Sequence, residues 1–231
     1  MDFPTTGVQP CLSVAPLDSK PLLGPPGNRA EAGEGRRVRQ SRQCRHLALG
    51  LLPAGEWTIG AEANGRPLVI DGQGRAGPDL SLSHSGHWLA AAVCPRGRVG
   101  VDVETPRPGR DRAGLARAWL SAAEQARVAA EGEAALLAFW TMREAIGKLS
   151  GDGLALALAV DGAALAAARD GVCQGANGTL AWTVAHGRRE GLHLALAWAA
   201  EHPAPWHGPA LAALVERALA HRSGCAGEEG R

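Results

Sequence analysis

At the centre of this chain is the stretch FWTMREAIGK, residues 139–148. Glu144 and Lys148 are one helical turn apart, and Trp140 lies one turn before Glu144, so these side chains share one stripe of a helix. A second stripe is apolar, with the three-and-four spacing of a core-facing surface: Phe139, Met142, Ile146 and Leu149. The pattern predicts a helix from Glu133 to Ser150 whose Glu/Lys stripe faces a cleft or solvent.

The composition is that of a soluble globular protein, with 45% hydrophobic and 20% charged residues in a chain of 231. The formal net charge of +1 gives no reason to expect a nucleic-acid partner. The five cysteines are scattered and never form a Cys-x-x-Cys pair, which favours a reducing cytoplasm over a disulfide framework. No export signal or membrane-spanning run is recognisable, so we expect a cytoplasmic protein without membrane insertion.

Changes in composition divide the chain into four predicted segments. A Pro- and Gly-rich segment over residues 1–35 is expected to be flexible, apart from one short strand from Cys11 to Leu17. Residues 36–100 form a first subdomain, residues 101–202 a second subdomain with the metal site, and residues 203–231 a final helix and a polar tail. Mixed helices and hairpins without strict βαβ alternation favour an α+β fold.

The predicted elements of the first subdomain are a basic helix and a series of strands. The helix runs from Arg36 to Leu52, and the strands cover Trp57 to Ala61, Pro67 to Ile70, Leu80 to Leu82 and Trp88 to Val93. In the second subdomain we predict helices over Ala113 to Leu120, Ala122 to Ala130 and Pro209 to His221. Strands are predicted over Val99 to Glu104, Leu154 to Val160, Leu180 to Ala185 and Leu192 to Ala199.

Asp102 and Glu104 are the strongest candidates for a metal site in the residues themselves. They are two apart on a predicted strand, so their carboxylates project from one face about 7 Å apart and can converge on one hard cation. The valines of Val99 to Val103 share the other face. A polar strand edge without a ligand is the alternative interpretation of the same spacing.

Ser83-His84-Ser85 is predicted to break a strand into a polar turn that could cradle an anion. The motif could also simply end a strand. A serine hydrolase is disfavoured because no Gly-x-Ser-x-Gly elbow surrounds these serines and no acid can be assigned to the histidine. No His-x-x-x-His spacing indicates zinc. Arg42 and its neighbours form a positive helix start that could bind phosphate or remain a solvated face.

Four motifs together resemble the 4'-phosphopantetheinyl transferases of the Sfp type. They are Leu82-Ser83-His84-Ser85, Gly100-Val101-Asp102-Val103-Glu104, the Trp-x-x-Arg-Glu-Ala-x-x-Lys stretch ending at Lys148, and Gly151-Asp152-Gly153-Leu154. Their order and spacing follow the family pattern from about Arg36 to Ala199. The resemblance implies transfer of the phosphopantetheine arm of coenzyme A to a serine of an apo acyl or peptidyl carrier protein, with Mg²⁺ as cofactor.

The resemblance also implies roles for individual residues. Asp102, Glu104 and Glu144 resemble the Mg²⁺ ligands, and Glu144 is also the leading candidate for the general base, directly or through a water. Lys148 resembles the lysine that holds the pyrophosphate and assists the leaving group. The family therefore assigns catalysis to Glu144 and Lys148.

The coenzyme A contacts implied by the resemblance come mostly from the first subdomain. They are Arg42, Arg66, Pro67, Ser83 and His84, joined by Arg143 and Lys148 from the helix. Arg143 stands where the family usually has Lys, which keeps the charge but offers a planar fork for phosphate. The basic residues that the family has ahead of the first helix have no clear counterpart here.

The fold implied is a pair of similar α/β subdomains related by pseudo-twofold symmetry, in a monomer with coenzyme A between them. The alternative function is a non-catalytic module of the same fold that binds coenzyme A or a carrier protein. A nucleic-acid binder would rest only on Arg36 to Arg45, where aromatic residues are absent. The sequence does not indicate which carrier protein is served.

Overall fold

The computed structural model describes residues 10–17, 35–109, 111–168, 171–177, 179–199 and 207–225. Most of the predicted flexible segment and the polar tail lie outside these residues. The strand expected near Cys11 is present as β1 (Cys11–Pro16). The division into four segments stays a prediction.

The first half consists of a helix and antiparallel strands. After β1 come α1 (Arg36–Leu49), β2 (Trp57–Ala61), β3 (Pro67–Asp71), β4 (Asp79–Ser85) and β5 (Trp88–Cys94). The strands form a three-stranded sheet of order β1-β5-β4 and a separate β2-β3 hairpin. The end of α1 and the residues after it pack on one face of the sheet, because Ala48 of α1 and Leu52 beyond it share a buried cluster with Leu80, Ala91 and Val93.

The second half is a four-stranded antiparallel sheet with helices against it. Its elements are β6 (Arg98–Glu104), α2 (Arg112–Trp119), α3 (Ala122–Glu131), α4 (Glu133–Ser150), α5 (Leu154–Ala159), α6 (Gly162–Ala167), β7 (Val172–Asn177), β8 (Leu180–Arg189), β9 (Leu192–Ala199) and α7 (Gly208–Cys225). The sheet order is β6-β9-β8-β7. A capping box of Ser121 and Glu124 begins α3.

The predicted helix from Glu133 to Ser150 is confirmed at both ends as α4. Its apolar stripe packs on the sheet, since Phe139 and Ile146 share a buried cluster with Ala195 and Ala197 of β9. The helix approaches β6 closely at Gly100, where an added Cβ would lie 2.0 Å from the carbonyl oxygen of Ala145. Only glycine allows this contact, which brings α4 directly against the acidic strand.

The alternation predicted for β6 is confirmed. Val99, Val101 and Val103 lie in a buried hydrophobic cluster that also contains Ala90 and Ala92 of β5. Asp102 and Glu104 project from the opposite face and are buried, with 5% and 8% of their surface exposed. The strand therefore stabilises the fold with one face and presents carboxylates with the other.

The strand predicted over Leu154 to Val160 is wrong, because Leu154–Ala159 forms the short helix α5. Leucine and alanine are both strong helix formers, so their alternation does not specify a strand without a partner edge. The edge next to β8 is taken by β7, which the sequence analysis did not predict. The helix α6 was also not predicted.

Candidate active site between the two halves

Serine side chains from β4 hold both carboxylates of β6. The Ser83 hydroxyl donates to Asp102 Oδ1 at 2.7 Å, and the Ser85 hydroxyl donates to Glu104 Oε2 at 2.7 Å. The Ser83 oxygen also accepts from the backbone N–H of Val103 at 3.3 Å. The hydroxyl of Ser83 is thus used to position Asp102.

The Ser83-His84-Ser85 motif is part of a continuous strand and not of a turn. All three residues pair with β5, and the turn follows at Gly86, where φ is +59°. The expected cradle of exposed backbone N–H groups is therefore absent at these residues. Gln40 of α1 donates to the Gly86 carbonyl at 2.9 Å, so α1 holds the turn after His84.

Lys148 lies beside the acidic strand and pairs with it. Its ammonium donates to Asp102 Oδ1 at 2.7 Å, and its side chain is 30% exposed. Spacing along the helix alone would suggest Glu144, four residues earlier, as the ion-pair partner of Lys148. The ammonium of Lys148 instead contacts Asp102. The lysine thus lies against the acidic strand, and its contact with the pyrophosphate stays a prediction.

The electrostatics of Glu144 and His84 reflect the same cluster. Burial, and then the negative charge of Asp102, raises the pKa of Glu144 above its ordinary value. Burial, and then the positive charge of Lys148, lowers the pKa of His84, which favours its neutral form. These shifts mean that side chains from β4, β6 and α4 influence one another across the junction of the halves.

A cavity of about 360 Å³ opens at this junction. It is lined by Ser41, Cys44, Arg45, Gly60, Ala61, Asn64, Gly65, Arg66, Pro67, Leu80, Ser81, Leu82, His84, Gly147, Lys148, Gly151 and Gly153. The predicted contacts Pro67, His84 and Lys148 are thus brought to one cavity. Three larger cavities, of about 420 Å³ near His193, 710 Å³ near His186 and 610 Å³ near Trp57, are lined by none of the predicted site residues.

Arg143 does not face the cavity, which corrects its assignment as a coenzyme A contact. Its guanidinium is bidentate to Glu124, with Nε to Oε1 at 2.9 Å and Nη2 to Oε2 at 2.6 Å. Its Nη1 donates to the carbonyl oxygen of Ala157 at 2.6 Å. The planar fork that was expected to hold phosphate instead joins α3, α4 and α5 in the protein interior.

Arg66 lines the cavity, but its terminal nitrogens are engaged by the protein. Nη1 donates to the carbonyl of Lys148, and to that of Leu149 at 3.3 Å; Nη2 donates to Asp79 Oδ2 at 2.5 Å and to the carbonyl of Val99 at 3.3 Å. These nitrogens therefore bind internal acceptors, and the predicted contact of Arg66 with coenzyme A stays a prediction.

Arg42 is not among the cavity-lining residues. Ser41, Cys44 and Arg45 of the same helix line the cavity instead, so the basic helix borders it through a neighbouring face. The thiol of Cys44 is buried, and burial raises its pKa to about 11, which keeps it protonated. The sequence analysis did not name Arg45 or Cys44 as site residues. Arg45 was included there only among the basic neighbours of Arg42 on the predicted helix.

The described residues contain no group of three or more His, Cys, Asp or Glu side chains arranged to hold a metal ion. The ready-made site of three converging carboxylates is therefore absent from that part of the chain. One observation does suit a cation: Asp102 Oδ2 is buried and has no hydrogen-bond partner among the described residues. A buried carboxylate oxygen without a partner is costly, and a bound cation would satisfy it.

The fold and site define an α+β protein in which carboxylates and a lysine meet between two halves. The 4'-phosphopantetheinyl transferase superfamily is matched by residues 98–199, which include β6 and α4. Among similar proteins, the 4'-phosphopantetheinyl transferase AcpT of Escherichia coli is 32% identical over 177 residues, covering 73% of this chain and 85% of that protein. The chain belongs to this superfamily.

Two Bacillus proteins are similar over a shorter region. The 4'-phosphopantetheinyl transferase of Bacillus subtilis is 32% identical over 117 residues, covering 48% of each chain. The 4'-phosphopantetheinyl transferase psf-1 of Bacillus pumilus is 35% identical over 114 residues, covering 47% of this chain and 46% of that protein. The chain thus spans about half the length of these relatives. Within the described residues, no helix has the length and apolar character needed to span a bilayer.

Proposed function

We propose that this chain transfers the 4'-phosphopantetheine arm of coenzyme A to a serine of an apo carrier protein, leaving adenosine 3',5'-bisphosphate. The observation that carries the proposal is the meeting of His84, Lys148 and Asp102 at one junction of the two halves. Pyrophosphate chemistry needs both positive groups for the phosphates and negative groups for a cation or proton. Membership of the superfamily supports the same reaction.

In the proposed reaction the carrier serine oxygen forms a bond to the β-phosphorus of coenzyme A, while the bond from that phosphorus to the bridging pyrophosphate oxygen breaks. Glu144, directly or through a water, accepts the serine proton. A carboxylate whose pKa is raised by burial and by Asp102 is a stronger base than an exposed glutamate. Lys148 binds the pyrophosphate and stabilises the charge that develops on the leaving phosphate.

Asp102, Glu104 and Glu144 are the proposed Mg²⁺ ligands. Mg²⁺ commonly binds through one or two carboxylates together with substrate phosphates, so a complete protein cage is not required before coenzyme A arrives. The unpartnered oxygen of Asp102 supports this assignment. When bound, the cation would neutralise the pyrophosphate charge. Ser83 and Ser85 hold two of these carboxylates in place.

The proposed coenzyme A contacts are His84, Pro67 and Lys148, which line the cavity, with Arg45 as an additional cation at its edge. Arg42 stays a predicted contact from the same helix. An antiparallel sheet with a helix on its outer face recurs in both halves, which supports the predicted pseudo-twofold relation. The cytoplasmic location, the monomeric state and the absence of a nucleic-acid partner stay predictions.

Incubation with coenzyme A, Mg²⁺ and a panel of apo acyl and peptidyl carrier proteins tests the proposal. Mass spectrometry should detect addition of one phosphopantetheine arm to at least one carrier. The same carrier with its acceptor serine replaced by alanine should remain unmodified. If no carrier is modified, the transferase proposal fails; calorimetric binding of coenzyme A without turnover would instead support the non-catalytic binding module.

A further inference from the structure

The last turn of α4 is held from the first half of the chain. A helix leaves its last four carbonyl groups without intrahelical partners. Here Arg66, the residue immediately before β3, donates to the carbonyls of Lys148 and Leu149. Arg98, which begins β6, donates to the carbonyl of Ser150 at 2.5 Å. Two cations thus complement the negative end of the helix dipole where the lysine is attached.

Arg66 is itself fixed by the partly exposed carboxylate of Asp79. The side chain of Arg66 is 5% exposed, and Asp79 Oδ2 accepts from its Nη2 at 2.5 Å. The same carboxylate oxygen accepts from the backbone N–H of Val99 at 2.7 Å, which ties the pair to β6. Asp79 does not line the cavity. The Arg66–Asp79 pair therefore connects the β2–β3 hairpin, β6 and α4. It does so through hydrogen bonds within the protein that do not require a ligand in the cavity.

We propose that Arg66 is a positioning residue that fixes the backbone of Lys148, with Asp79 as its anchor, and that its guanidinium does not contact coenzyme A. The proposal rests on the proposed function for its kinetic consequences. Lys148 must meet both Asp102 and the pyrophosphate, and its backbone sets where its ammonium can reach. Misplacing a catalytic group by about 1 Å can cost on the order of 100-fold in rate.

Asp79→Asn is the decisive variant. Its amide oxygen can still accept from Val99 N–H, but its neutral amide no longer neutralises Arg66. We expect kcat at saturating coenzyme A to fall about 10- to 100-fold, while the Kd for coenzyme A, measured by calorimetry, stays within about threefold. Asp71→Asn is the matched control, because Asp71 pairs with Arg75 in an exposed salt bridge of the same hairpin and does not line the cavity. It should behave as the unmodified protein.

Arg66→Lys and Arg66→Met extend the test. A single ammonium cannot reach all the acceptors of the guanidinium, so Lys should restore only part of the kcat lost in Met. In a double-mutant cycle, Arg66→Met and Asp79→Asn should be strongly non-additive in kcat. If Arg66→Met raises the Kd for coenzyme A tenfold or more while Asp79→Asn keeps normal kcat, Arg66 is a ligand contact and the proposal is overturned.

Hydrogen exchange separates failure of this inference from failure of the proposed function. Amides at the end of α4, Gly151 and Gly153, bond to the carbonyl of Gly147 and report on the last turn. They should exchange faster in Asp79→Asn than in Asp71→Asn, whether or not any carrier protein is modified. Unchanged exchange rates at these amides would contradict the positioning role. Because this measurement uses only the Asp79 and Asp71 variants, it tests the role even if Arg66→Met does not fold.

Discussion

Arg66 and Arg143 were both expected to contact coenzyme A, and both are buried against protein acceptors. Each is 5–7% exposed, and each combines a carboxylate partner with backbone carbonyls. A guanidinium has five donors in a rigid fork, so it can satisfy several internal acceptors at once where an ammonium cannot. Of the predicted polar contacts, His84 and Lys148 thus line the cavity together with Arg66, whose terminal nitrogens bind internal acceptors.

Glu144→Gln should reduce transfer by about 10²- to 10⁴-fold, because the amide cannot accept the serine proton and is a poorer metal ligand. The fold should persist, as judged by circular dichroism and thermal unfolding. Glu133→Gln is a control on the same helix, since Glu133 pairs with Arg112 and does not line the cavity of the proposed site. Near-normal turnover of Glu144→Gln would exclude Glu144 as both base and ligand.

Arg143→Met should lower the free energy of unfolding by about 3–5 kcal/mol, because it leaves the fully buried carboxylate of Glu124 without its counter-ion. Urea denaturation measures this change. Arg189→Met removes an exposed pair with Glu216 and should change stability by less than about 1 kcal/mol. The Arg143→Lys variant should bind coenzyme A with normal affinity. A tenfold weaker affinity would instead indicate that Arg143 contacts coenzyme A.

Two contacts between elements determine where the site lies. Polar side chains of β4 bond to the free edge groups of β6, as when Ser81 accepts from the N–H of Val101 at 2.9 Å. This joins the two sheets by side chain to backbone bonds, and it aligns Ser83 with Asp102. The second contact is the close approach of α4 to Gly100, which sets the distance from the helix to the carboxylates.

Gly100→Ala should destabilise the protein by about 1–3 kcal/mol, because the new Cβ would lie 2.0 Å from a backbone oxygen of α4 and the helix must move. Transfer activity should fall as well, since that helix carries Glu144. Gly50→Ala is the matched control: its Cβ would meet its nearest atom at 3.4 Å, so stability should change by less than about 1 kcal/mol. Equal unfolding midpoints in urea for the two variants would contradict the close-packing argument.

Across the whole molecule, the second sheet carries polar groups at two separate locations. Asp102 and Glu104 face the junction of the halves, while His186 and His193 lie in the sheet with 3.1 Å between their ring nitrogens Nε2 and Nδ1. Burial, and then the charge of His193, lowers the pKa of His186 to about 3. Burial, and then Arg188, lowers the pKa of His193 to about 4. Both rings are therefore neutral in the folded protein near neutral pH.

This pair predicts acid sensitivity of the fold. Unfolding returns each histidine to a pKa near 6.5, so the unfolded chain binds more protons than the folded chain between about pH 4 and 6.5. The free energy of unfolding should fall with decreasing pH in this window, by about 1.4 kcal/mol per unit for each histidine. In urea titrations, His186→Gln should reduce that slope and the exposed His46→Gln should not. Equal slopes in both variants would refute the assignment.

The sequence by itself determined those elements that are specified by a local residue pattern. It also determined the protein family, through the ordered motifs. The three-and-four spacing of α4 and the alternation of β6 each fix which face is buried, because they follow from the geometry of one element. The ordered motifs located His84, Asp102, Glu144 and Lys148. These predictions did not depend on knowing which other element would lie nearby.

Only the tertiary structure decided the choices that depend on distant partners. The alternating Leu and Ala of Leu154–Ala159 form a helix because β7 takes the sheet edge beside β8. The guanidinium groups of Arg66 and Arg143 bond to Asp79 and Glu124, partners 13 and 19 residues away, although Arg66 also lines the cavity. Local spacing cannot distinguish a guanidinium aimed at a ligand from one aimed at a buried carboxylate, since both uses need the same residue and differ only in what the fold brings beside it.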